Sequence, residues 1–169
     1  MTDYRYEARS YDHRPDRDRS WQPTDFQRGA IEAAFFTADP FPYSGEYCLD
    51  WDATWNTLPP EDRKRFIAAC EAFETKFGKL LELAVKRSPG RDIEAAGRDY
   101  HYTSQGHGVG FWEPGRWEAK AGALLDQACK AHRLPEVHAD LDCDHFREVG
   151  GEGCGECDGC ATGPTYYVE

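Results

Sequence analysis

Long apolar runs are missing from this chain. No stretch of its 169 residues reaches the roughly 18 to 20 consecutive apolar residues that cross a bilayer, and the polar N-terminus has no signal-peptide core. The expectation is a protein with no membrane partner that stays in the cytoplasm. Basic charge is also scarce: 20 Lys and Arg stand against 31 Asp and Glu, a net charge of −11. Phosphate contacts are made chiefly by Lys and Arg, so this balance opposes binding to nucleic acid and favours a protein partner with a basic surface. An even cysteine count is lacking too. Seven cysteines without an export signal fit a reducing compartment, where thiols persist or hold metal, better than a disulfide framework.

Apolar residues make up 40% of the chain, enough for one core of ordinary size. The charges divide it into three parts. Residues 1–23 balance five arginines against five acids with no hydrophobic period, which reads as a flexible arm. Tyr4, Tyr6, Tyr11 and Trp21 are interleaved with those arginines and can stack on single-stranded nucleic acid, but the equal number of acids cancels the attraction. Residues 24–141 form the expected domain. Residues 142–169 form an acidic, Cys-rich tail: from residue 134 onward, nine acids face Arg147 alone, a net charge of −8.

Within the domain, Thr24 is placed to cap a helix through Phe26, Ala30, Ala33 and Ala34 that stops near Asp39, before Pro40. Residues 41–57 are aromatic and aperiodic, an ordered loop whose rings cover the core. Pro59 and Pro60 then open the central helix. Phe66, Cys70, Phe73, Phe77, Leu80, Leu81 and Ala84 recur at three- and four-residue intervals until Ser88, Pro89 and Gly90 break the pattern.

After a helical turn at 93–96, residues 100–104 have strand-like side chains, 105–108 supply a turn and 109–112 read as a second strand, a hairpin signature. Trp117, Ala121, Leu124, Leu125 and Ala128 predict a helix ending near His132, and Val137 to Leu141 a third strand. The expected fold class is therefore α+β: a small, mainly antiparallel sheet, made of the hairpin and a third strand, packed against about three helices. Cys48, Cys70 and Cys129 belong to loop or core packing.

Two places can carry chemistry. The first is the hairpin, where Asp99, His101 and His107 are the candidate polar residues and Gly106, Gly108 and Gly110 permit positive φ and close backbone approach. Asp99 and His107 can meet there as an acid and base. Neither a phosphate-loop lysine nor a dinucleotide-binding glycine spacing accompanies them, and no nucleophile stands in a recognisable local setting. The plainer alternative is a tight turn in which Phe111 and Trp112 anchor the sheet.

The second place is the tail. Cys154, Cys157 and Cys160 follow at intervals of three among glycines, with Cys143 and His145 about ten residues earlier. Zinc is four-coordinate with Cys and His ligands, so three cysteines plus Cys143 or His145 would complete one site. An iron–sulfur cluster is the rival metal, but the fourth cysteine of a ferredoxin run is missing. Without metal, the segment is an acidic extension with free thiols.

The run Ala96-Gly97-Arg98-Asp99, followed by Gly106-His107-Gly108-Val109-Gly110-Phe111-Trp112 and a helix, resembles a family of small uncharacterised proteins of tailed bacteriophages. The resemblance extends loosely from Thr24 to Leu141 and leaves out both the arm and the tail. It implies an accessory role in the cytoplasm of an infected host cell and carries no known activity. The leading functional expectation is a non-enzymatic protein that binds a host or phage macromolecule, in host takeover or against a defence system. A small enzyme or ligand-binding protein using Asp99, His101 and His107 is the second reading, and an acidic mimic of nucleic acid the third.

Overall fold

A computed structural model describes residues 22–38, 55–140 and 165–169. Four helices lie among them: α1 (Asp25–Ala38), α2 (Pro60–Arg87), α3 (Ile93–Gln105) and α4 (Ala119–Ala131). Two short strands, β1 (Val137–Asp140) and β2 (Thr165–Val168), pair antiparallel, with Val137 opposite Val168 and Asp140 opposite Thr165. The fold is mixed α+β and mostly helical. No described helix is long and apolar enough to cross a membrane.

Helix α1 starts where the sequence signals it. The Thr24 hydroxyl accepts from the Gln27 backbone N–H at 3.2 Å, and the Gln27 side chain accepts from the Thr24 N–H at 3.1 Å, a reciprocal capping box that satisfies two donors at the helix end. Helix α2 has Pro60 at its first position and Glu61 and Asp62 in the first turn, and it buries Phe66, Cys70, Phe73, Leu81 and Ala84 along one stripe. Phe73 stacks on Tyr100 of α3 at 4.1 Å and on Phe26 of α1 at 5.9 Å, so three helices meet at one aromatic centre. Cys70 and Cys129 are fully buried there as packing residues.

The expected hairpin is corrected. Residues 100–104 lie inside α3, and 106–118 are a loop rather than a turn and a strand. Asp92 caps α3, its carboxylate accepting from the Ala95 N–H at 2.7 Å, and the helix then packs along α1. Gly29 and Gly97 allow that packing: a Cβ on Gly97 would lie 1.9 Å from the Phe26 carbonyl oxygen, and one on Gly29 1.9 Å from that of Glu94. The backbones approach so closely that burial on nearly every side of α3 outweighs the β propensity of Tyr100, Tyr102 and Thr103.

A strand does form over Val137–Asp140, but as one of two described strands and not as the third strand of a hairpin sheet, and its partner is Thr165–Val168. Tyr166 and Val168 are buried while Tyr167 faces outward over His138, the alternation of a half-covered strand. The Val168 N–H donates to Asp62 and its carbonyl accepts from Arg65, so α2 covers the outer edge of β2. Tyr166 and Val168 of the expected tail thus belong to the core. The expected arm, apart from residues 22 and 23, lies outside the described residues, as do Cys48 and most of the aromatic stretch 41–57. From that stretch, Trp55 is buried against Phe35 and Phe66.

Candidate functional site

The candidate site is built on the C-terminal half of α3 and the loop that leaves it. Gly106 ends the helix in the left-handed region at φ 76°, and the N–H groups of Gly106 and His107 return to the carbonyls of Thr103 and Tyr102. This double closure is a Schellman cap, which satisfies orphan carbonyls and requires a residue tolerant of positive φ at Gly106. The cap turns the chain sharply and brings the His107 ring back beside α3.

From there the loop is fastened at several points. The Thr103 hydroxyl accepts from the Phe111 N–H at 3.0 Å, and a Cβ on Gly110, whose φ is 151°, would stand 2.4 Å from that same oxygen. Phe111 is buried against Trp117 at 5.4 Å. Further along, Arg91 donates to the Arg116 carbonyl, and the Glu118 N–H donates to the Ser88 hydroxyl at 2.9 Å. Gly110 and Phe111 of the motif therefore hold the loop against the helix. Trp112 is the exception: it is 49% exposed.

Asp99 has no solvent exposure. Its Oδ2 accepts from Arg116 Nε at 2.7 Å and from the Trp117 indole N–H at 2.6 Å, while Oδ1 has no hydrogen-bond partner among the described residues. Hydrogen bonding to this carboxylate raises the Arg116 pKa and keeps the guanidinium charged. Asp99, fully buried, and Arg116, partly exposed, form an ion pair that ties the end of the loop to α3. The structure does not pair Asp99 with His107.

His101 and His107 are brought together. Their ring centroids are 5.5 Å apart, and Tyr102 stands 5.8 Å from each. His101 is 1% exposed, with Nε2 2.8 Å from the Thr37 hydroxyl of α1. That hydroxyl lies within donating distance of the Ala33 and Ala34 carbonyls, so its lone pair is free to accept from His101 Nε2–H. With Nε2 as the donor to Thr37, Nδ1 is the nitrogen that carries the lone pair. Burial, assisted by His107, pushes the His101 pKa down to about 3, and the ring is neutral at physiological pH. Nδ1 has no partner among the described residues, and neither does the buried Ser104 hydroxyl one helical turn on.

Sequence reasoning named Asp99, His101 and His107 as one cluster. The structure divides them into a structural ion pair and an imidazole pair. It also adds Thr37, Arg116 and Trp117, which long-range contacts alone reveal. Cys143, His145, Cys154, Cys157 and Cys160 lie outside the described residues. Comparison with protein-family models, curated proteins and solved structures finds no significant match to this chain.

Proposed function

We propose that this chain is a non-enzymatic binding protein of the phage accessory kind that its motif resembles, acting on a host or phage protein in the infected cell to redirect host physiology or blunt a defence. One observation carries the proposal: the motif places Trp112 at the surface of a loop whose neighbours are buried or hydrogen-bonded. Large aromatic side chains held on rigid supports are the usual anchors of protein interfaces, because little side-chain entropy is lost when they dock. The excess of acid favours a partner with a basic surface around that anchor. A catalytic reading has less support, since the Asp99 carboxylate is bonded to Arg116 and Trp117 instead of serving as an acid or base beside His107.

Zinc in the tail is part of the same proposal, with Cys154, Cys157, Cys160 and either Cys143 or His145 as ligands. The β1–β2 ladder supports it. Asp140 and Thr165 are register partners, so the ladder holds the two residues that flank 141–164 together. Closing a loop costs conformational entropy, and the ladder meets much of that cost before any ion binds.

The test is affinity capture from infected host lysate with wild-type protein and with Trp112→Ala. A protein retained by the wild type and lost by the variant, with thermal unfolding of the variant unchanged, supports the proposal. Equal capture by both, or recovery of a nucleotide in place of a protein, overturns it.

A further inference from the structure

We infer that His101 and His107 form a binding site for a late first-row divalent cation such as zinc, nickel or copper(II), with His101 Nδ1 and a ring nitrogen of His107 as its protein ligands. The inference is independent of the docking role of Trp112 and of any metal in the tail. It rests on three features of the imidazole pair.

The first is the unused lone pair. A buried ring nitrogen without a hydrogen-bond partner is desolvated without compensation, and His101 Nδ1 is such an atom among the described residues. The second is its support. Metal-binding histidines characteristically donate their other ring N–H to a protein oxygen, which fixes the tautomer and the ring plane. His101 does so through Thr37, whose hydroxyl is itself anchored on the α1 backbone.

Spacing is the third feature. With metal–nitrogen bonds of about 2.0–2.1 Å, two imidazoles on one tetrahedral ion stand with their centroids about 5 Å apart. The observed separation is 5.5 Å with a 31° tilt, close to that spacing. His101 is buried between α1 and α3, whereas His107 is half-buried on the loop and faces solvent in part. Among the described residues no third His, Cys, Asp or Glu stands with the pair, which supplies two of four positions and leaves the others to water or a bound anion. Neutral imidazoles select borderline transition cations over magnesium or calcium, which prefer oxygen ligands.

The test uses untagged full-length protein with Cys154→Ser, Cys157→Ser and Cys160→Ser, so that tail thiols do not compete. Cobalt(II) is titrated while the imidazole nitrogen–proton resonances are followed by NMR. The first equivalent is expected to broaden His101 and His107 together, and zinc to displace it. His107→Gln is expected to remove that equivalent with circular dichroism and thermal midpoint unchanged. Thr37→Val, which leaves both ligands in place, is expected to weaken binding about 10- to 100-fold. Absence of a bound equivalent, broadening confined to His132 or His138, or unchanged affinity in a folded His107→Gln protein overturns the site. Should His107→Gln disturb folding, the joint broadening of both rings in the parent protein decides the question alone.

Discussion

The Asp99 carboxylate accepts the Trp117 indole N–H at 2.6 Å, joining the middle of α3 to the far end of a loop that leaves the same helix at Gly106. Arg116 Nε reaches the same oxygen. The pair of contacts closes the loop on itself, with Phe111 between them buried and bonded to Thr103.

Arg116→Ala should therefore destabilise the protein strongly. Removing one partner of a buried ion pair costs about 3–5 kcal/mol, because the remaining charge stays buried without compensation. Asp99 would keep only a neutral indole donor. Arg116 itself retains some contact with solvent, so Asp99→Ala should cost less, at the lower end of that range. Chemical denaturation of the two variants checks the order, and equal, small losses would show that the loop is held by Phe111 and Thr103 instead.

Glycines on the α1–α3 interface and on the α2 surface should respond to alanine with opposite signs. At Gly97 the new Cβ meets the Phe26 backbone at 1.9 Å, and a backbone neighbour cannot rotate away. Overpacking of this kind costs about 1–3 kcal/mol and more where the obstacle is main chain, so Gly97→Ala should lose at least about 3 kcal/mol. Gly78 has nothing within 4 Å of its added Cβ, and Gly78→Ala should gain about 0.4–1 kcal/mol by restricting the unfolded chain. Thermal unfolding of both variants is the check.

His101 predicts an acid-sensitive fold. Its folded pKa, about 3, lies below the ordinary 6.5, so the unfolded chain binds a proton over that interval while the folded chain does not. Stability from this group is complete above about pH 6.5 and is lost as pH falls toward 3, with a slope of up to about 1.4 kcal/mol per pH unit. A folded His101→Gln variant should show a shallower decline over the same interval, by one proton. Parallel curves for the two proteins would mean that His101 takes up its proton without unfolding.

The helical scaffold was legible wherever its determinants are local. Thr24 with Gln27, Pro60 with Glu61 and Asp62, and the Phe66 to Ala84 stripe all act within a few residues along the chain, and α1 and α2 follow from them. Residues 100–112 misled because Tyr and Thr favour strands, whereas the deciding contact is Gly97 against Phe26, distant in sequence. The same limit applies to the site. Glycine spacing flagged the loop, but the separation of Asp99 from His107 depends on Arg116, Trp117 and Thr37. Nothing local reveals that Tyr166 and Val168 return to complete the sheet.

The last prediction concerns the segment between Asp140 and Thr165. Purified untagged protein should carry about one zinc per chain on Cys154, Cys157, Cys160 and either Cys143 or His145. A reducing compartment leaves these thiols available, and glycines let the backbone fold around an ion. Asp142, Asp144, Glu156 and Asp158 attract a cation, yet the same negative charge raises thiol pKa values and disfavours an empty thiolate cluster. Binding then depends on the ion itself, so chelation should weaken the β1–β2 ladder at the end that flanks residues 141–164, where Asp140 faces Thr165. Elemental analysis paired with Cys157→Ser gives the comparison, and hydrogen exchange at Ala139 and Tyr166 reads the coupling. Metal-free wild-type protein, or equal zinc in the mutant, removes the assignment. Unchanged exchange on chelation would confine the metal to the loop and separate it from the sheet.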